Sequence, residues 1–179
     1  MTDGHETSDG QASARGNPRQ TTPEGREWFA STHDLPGGTG PEIGLRFSCT
    51  MCGNCCSGPD GYVLVSDAEV AALAARRGID VAAFLVSYTT MTNEGRSLIE
   101  REGPHGKDCV FLDRSLVPGK AVCGVYEDRP AQCRTWPFWP SVVATPNSWR
   151  LAGRVCPGIG KGALHVPQQI RIQRDAFRI

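Results

Sequence analysis

The stretch RFSCTMCGNCCSGPDGYVLVS, residues 46–66, places four cysteines within eight positions, two of them adjacent. Cys49, Cys52 and Cys55 repeat the step C-x2-C twice, and Cys56 follows directly. Such a step lets two thiolates turn toward one ion while backbone N–H groups of the intervening loop point at the sulfurs. Gly53 supplies the positive φ that these loops use. Two overlapping steps put three ligands on one short run of chain, the pattern of the first three ligands of a bacterial iron–sulfur cluster, whose fourth ligand is distant and followed by proline. Cys156-Pro157 has that form. The stretch therefore predicts a domain wrapped around its cysteines.

Four further cysteines, Cys109, Cys123, Cys133 and Cys156, bring the total to eight. An even count also suits disulfides, but the opening MTDGHETSDGQASARGNPRQ has no apolar segment of the signal-peptide kind. The expectation is a cytoplasmic protein, and in a reducing compartment clustered thiols hold metal rather than disulfides. Adjacent side chains in an extended or turn-like chain tend to point apart, so Cys55 and Cys56 are expected to serve two neighbouring sites. That divides the thiols into Cys49, Cys52, Cys55 and Cys156 in one set, and Cys56, Cys109, Cys123 and Cys133 in the other. Two alternatives stay open. Cys109 and Cys123, set between apolar neighbours, also suit plain buried hydrophobes, and a single site would take Cys133 as fourth ligand. A radical-SAM spacing fails because Pro59 stands where its third cysteine belongs, and a zinc ribbon lacks its second C-x2-C pair.

Working outward, residues 1–24 form a polar tail too poor in large apolar side chains to order itself. Residues 25–44 are a loop-rich lead-in, and residues 45–179 are the cysteine-cluster domain. YVLV reads as a short strand. Ser66 and Glu69 have capping-box spacing ahead of a helix that stops at Gly78, and Asp80 caps a second helix through VAAFLVSY. Two strands joined at Glu94-Gly95 follow, then two β-like pieces carrying Cys109 and Cys123. RPAQCR suits one helical turn, SWRLAGRV a strand, and HVPQQIRIQRDAFR a final amphipathic helix from Pro167. The fold class is a small irregular α+β single domain built around a cysteine-ligated metal site. Lys plus Arg and Asp plus Glu both number 19, and no apolar run spans a bilayer. Neither nucleic acid nor membrane is an expected partner.

The order CTMCGNCC, CVFLD, CGVYEDRPAQCRTWPF and CPGIGKG resembles the YkgJ-type cysteine-cluster family of zinc- or iron-chelating domains. All eight cysteines find a match, over about residues 45–162. The resemblance implies a bacterial protein that binds metal, foremost an iron–sulfur cluster of the 4Fe-4S kind, with zinc as the alternative. Redox, sensing or cluster handling is the expected role. One branch of the family is associated with N-methylation of flagellin lysines, which makes a metal-dependent protein-modifying enzyme the second reading, with a protein partner or substrate. A zinc-stapled structural or interaction domain is the third. Catalytic residues are unassigned: Tyr126, Glu127 and Asp128 lie near the cysteines but stand in no recognisable motif. Arg129 and Arg134, on either side of Cys133, are candidate cofactor-binding residues that offset the negative charge of a thiolate-ligated centre; alternatively they pair with Glu127 and Asp128. Trp136, Phe138 and Trp139 suit a hydrophobic wall. His105 and His165 are ligands by chemistry but superfluous beside eight thiols.

Overall fold

A computed structural model describes residues 27–34 and 40–177. The expected polar tail, residues 1–24, lies outside the described residues. A 3-10 turn at Trp28–Ala30 and the short strands β1 (His33–Asp34) and β2 (Pro41–Glu42) lead into β3 (Leu45–Phe47). The cysteine stretch follows, with a 3-10 turn at Asn54–Cys56 and the two-residue strand β4 (Ser57–Gly58). Helix α1 (Asp67–Arg77) begins in a capping box: Ser66 Oγ accepts from Glu69 N, and the Glu69 carboxylate accepts from Ser66 N at 2.9 Å. Gly78, at φ 67°, ends it in the left-handed conformation that glycine adopts without steric cost. Helix α2 (Val81–Tyr88) starts where Asp80 Oδ1 accepts from Ala83 N at 2.9 Å. Both helices begin where the sequence places their caps, because capping is settled within four residues of chain.

Strands β5 (Thr89–Thr92) and β6 (Gly95–Leu98) form a hairpin whose turn is Asn93-Glu94, one position earlier than the sequence reading put it. Strands β7 (Glu100–Gly103) and β8 (Gly106–Cys109) form a second hairpin, and β8 also pairs with β4 to make a three-stranded sheet. Strand β9 (Leu112–Asp113) pairs with β10 (Val122–Cys123). The YVLV segment is not a strand: it makes a single bridge, Leu64 to Ser97. Around that bridge Val65 N donates to Arg96 O at 3.0 Å and Leu98 N donates to Val63 O at 2.9 Å, while the other edge is closed by a side chain: Gln132 Oε1 accepts from Leu64 N at 2.7 Å and Gln132 Nε2 donates to Tyr62 O at 3.0 Å.

The C-terminal part is more helical than expected. After a 3-10 turn at Tyr126–Asp128 come α3 (Ala131–Thr135), α4 (Pro140–Val143) and α5 (Pro146–Val155). Strand β11 (Ile159–His165), antiparallel to β3, and helix α6 (Pro167–Ala176) complete it. SWRLAGRV, expected as a strand, is the body of α5. Thr145 Oγ1 accepts from Ser148 N at 3.0 Å, Pro146 occupies the first turn, and only Trp149 of this helix is buried. A capped start and a single apolar face override the residues' modest strand preference.

Two apolar clusters result. One gathers Val70, Leu73 and Phe84 from the first two helices with Leu98, Phe111 and Val125, and Cys109 and Cys123 pack against it. The other joins Phe29, Leu45, Phe138, Val143, Trp149 and Ile170. Packing thus takes in residues upstream of Leu45, with Phe29 only 1% exposed. The molecule is a small mixed α+β unit of helices and several small sheets. Among the described residues no helix is long and apolar enough to cross a membrane.

Candidate metal centre

The cysteine loop is shaped by two close backbone approaches. Gly53, at φ 78°, precedes the 3-10 turn that carries Cys55 and Cys56, and a Cβ there would stand 2.5 Å from Ala121 Cβ. Only glycine both takes that φ and lets the loop close on the segment entering β10. Ala121 N donates to Met51 O at 2.8 Å, which fixes the loop to the same segment. On the other side, Gly158 lies against residue 48: a Cβ at Gly158 would be 2.2 Å from Ser48 O. Asn54 Nδ2 donates to Val155 O at 2.6 Å. These contacts bring Cys156, at the end of α5, within electrostatic reach of Cys52 and Cys55.

Cys109 ends β8, Cys123 ends β10 and Cys133 sits in α3. All eight cysteines line one cavity of about 230 Å3. Its wall draws on both apolar clusters, with Leu98, Phe111 and Val125 from one and Phe47 from the other. Trp136 and Trp139 close it, their rings 4.8 Å apart edge to face. Phe138 turns away, buried against Trp149.

Cys55 and Cys56 do not point apart. Their sulfurs are 3.7 Å apart and share a hydrogen bond, and both residues line the cavity from the 3-10 turn at Asn54–Cys56. Adjacency alone therefore does not assign them to different ions. The hydrogen bond from Cys56 lowers the Cys55 thiol to about 7, and the same contact together with burial pushes Cys56 up. Burial pushes Cys109 up to about 11 and raises Cys133, which Cys109, Cys55 and Cys123 push further. Cys123 is raised by burial, with Cys55 adding to the shift. Cys156 is raised by burial, then by Cys52 and Cys55, while N–H groups of Trp136 and Gly158 pull it down. Cys55 thus acts on Cys156 on one side and on Cys56, Cys123 and Cys133 on the other.

The candidate second-tier residues separate. Arg129 lines the cavity, with its guanidinium carbon 3.7 Å from the centre of the Tyr126 ring, and its charge favours the thiolates of Cys55, Cys123 and Cys133. Arg134 is not a lining residue; it donates to Arg129 O and stands 3.9 Å from the Glu69 carboxylate. Asp128 pairs with Arg76 rather than with either arginine. Tyr126 lines the cavity; His165 does not, and its Nε2 is 3.1 Å from Phe47 O. His105 is exposed at the tip of the β7–β8 hairpin.

Arg114 had no local signal in the sequence, and for Trp136 only a place in the hydrophobic wall was expected, not its N–H. Arg114 donates from Nη2 to Ser57 Oγ at 2.7 Å and to Asp108 Oδ1 at 3.0 Å, and the negative charge of a Cys56 thiolate favours its protonated form. It reaches the cysteine loop across 57 positions of sequence. Trp136 Nε1 is buried without a close partner, as is Thr50 Oγ1 on the same cavity wall. The indole N–H is directed at Cys156, where it favours the thiolate.

Among the described residues no three Cys, His, Asp or Glu side chains are yet gathered around one point at ligand distance. The thiols line the cavity wall. The donor set nonetheless suits a soft metal: eight sulfurs, an unpartnered N–H directed at one of them, and Arg129 and Arg114 to offset thiolate charge. No solved structure matches the chain. A family model, CxxCxxCC, described as "Putative zinc- or iron-chelating domain", matches residues 48–157, which run from the residue before the first cysteine of the cavity to the residue after the last. With that match spanning more than half its length and enclosing all eight lining thiols, the chain belongs to the CxxCxxCC family of zinc- or iron-chelating domains.

Proposed function

We propose that the chain carries an iron–sulfur cluster, of the 4Fe-4S kind, in the eight-cysteine cavity and uses it for redox, sensing or cluster handling. The observation that supports this reading is the convergence of eight thiols from five separate segments on one cavity, three of them in the C-x2-C-x2-C run and a fourth, Cys156, followed by proline. A cluster held there would supply one-electron chemistry. The chain would supply the rest: thiolate ligands, an indole N–H to the Cys156 sulfur, two guanidinium groups against the charge, and aromatic walls that limit water. The reading puts the protein in the cytoplasm, with a protein partner for electron or cluster exchange, and involves neither nucleic acid nor membrane. Purification without oxygen, followed by metal analysis and a visible spectrum, tests it. Brown protein with absorbance at about 400 nm is expected, and colourless protein holding stoichiometric zinc would reject it.

One observation favours zinc. Two thiolates on a tetrahedral zinc ion, each at about 2.3 Å, lie about 3.8 Å apart, and Cys55 and Cys56 already stand at 3.7 Å. On this reading the ion would staple the two halves of the chain together. The same metal analysis separates the two.

A further inference from the structure

We propose that Cys55 and Cys56 form an oxidative modification site, at which a peroxide converts the adjacent thiols into a reversible vicinal disulfide. The two sulfurs are 3.7 Å apart and hydrogen-bonded, the one thiol-to-thiol hydrogen bond among the described residues. The turn that holds them is fixed by Cys56 N donating to Gly53 O at 2.8 Å, so little chain motion separates contact from bond. Cys55 is exposed, and a small oxidant reaches it from solvent. Cys49 is also exposed, but its sulfur accepts from Met51 N at 3.4 Å and has no thiol beside it at hydrogen-bond distance.

The chemistry balances with one equivalent of hydrogen peroxide. The Cys55 sulfur attacks the O–O bond; an S–O bond forms, the O–O bond breaks, and the leaving oxygen departs as water with the thiol's proton. The Cys56 sulfur then displaces the sulfenic hydroxyl, forming S–S and releasing a second water with its own proton. Two sulfurs are oxidised by one electron each, and the peroxide oxygens are reduced. Cα atoms joined by one trans peptide are about 3.8 Å apart, short of the roughly 4.4–6.8 Å usual for a disulfide, so the bond is strained and readily reduced. A dithiol reverses it by exchange. The site is therefore a switch rather than a structural cross-link. That the switch also ejects bound metal, by removing two donors from the cavity, rests on the metal-binding reading above; the disulfide itself does not.

The test exposes the full chain, metal-free and zinc-loaded, to hydrogen peroxide, blocks the remaining thiols and maps the tryptic peptides by mass. The peptide spanning residues 47–76 should lose two hydrogen atoms, with fragmentation assigning the loss to Cys55 and Cys56, and dithiothreitol should restore it. In the zinc-loaded sample, release of zinc to a chromogenic chelator should run in step. Cys56→Ser should leave Cys55 as a sulfenic acid that dimedone captures. A disulfide linking residues 47–76 to the Cys133 or Cys156 peptide, a Cys49–Cys52 bridge, or no disulfide at all would overturn the proposal. Formation of the Cys55–Cys56 bond in a protein that never takes up zinc or iron would uphold the modification site and discard the metal reading alone.

Discussion

Trp136 shows how much at this site turns on one atom. Its ring packs against Trp139, while its N–H has no close partner and is directed at Cys156. Trp136→Phe keeps most of the packing and removes the donor. Metal affinity measured by chelator competition should fall about 10- to 100-fold, the usual cost of losing a partner to a ligand. An unchanged affinity would mean that the indole only fills space. A paired substitution addresses how the thiols divide. If Cys52 and Cys123 serve separate ions, Cys52→Ser and Cys123→Ser should each remove one metal equivalent and retain the other, read as metal per chain. Full metal content after the Cys123 change would leave one ion for the cavity. The ligand types and the C-x2-C spacing were legible in the sequence, because both are written in adjacent positions. Arg114 was not, since nothing near it in the chain announces a contact with Ser57. The direction of the Cys55 and Cys56 side chains was misread for a related reason: it depends on a 3-10 turn that a glycine permits but does not dictate.

Among the elements, a local cap made α1 and α2 readable, although α5, capped as locally by Thr145, was misread as a strand. Helices α1 and α2 carry their caps within themselves, whereas the YVLV segment meets β6 in a single bridge and has its other edge closed by Gln132, 68 positions from Leu64. Gln132→Ala would leave the Leu64 N–H and the Tyr62 carbonyl unpaired. It should cost about 3 kcal/mol in urea denaturation, at about 1–3 kcal/mol for each orphaned group, and a loss below about 1 kcal/mol would show that water replaces the side chain. The link between β8 and the cysteine loop is pH-sensitive. The Arg114 hydrogen bonds hold the Asp108 carboxyl below the usual carboxylate range. As pH falls, the unfolded chain takes up this proton first, so the contribution is complete above about pH 4 and disappears as pH drops through the lower folded value. Thermal midpoints should therefore decline with acid more steeply for the native chain than for Asp108→Asn, whose midpoint starts lower. Parallel declines would assign acid sensitivity to other carboxylates.

For the molecule as a whole, the cavity lies where the two apolar clusters meet, and each contributes to its wall. An ion bound there binds the folded state and not the unfolded chain, and at a thousandfold excess over its dissociation constant it adds about 4 kcal/mol. Zinc or iron should raise the melting temperature and slow amide exchange in α1 and in β11 alike. Protection confined to one cluster would show that the centre belongs to that half. The sequence announced the metal chemistry of the whole chain but not this arrangement, because the second cluster is assembled from Phe29, Phe138 and Ile170, residues with no shared periodicity.

The close packing of Gly158 against Ser48 joins points more than a hundred residues apart. During synthesis the loop at residues 49–56 emerges long before Cys156. Closing a gap of that length costs an ideal chain about 4 kcal/mol in entropy, and only a chain that already includes Gly158 can make it. Until Cys156 joins them, the chain offers seven of the eight thiols. The eight-sulfur pocket is consequently complete only once the segment around Cys156 has folded back onto residues 48–56.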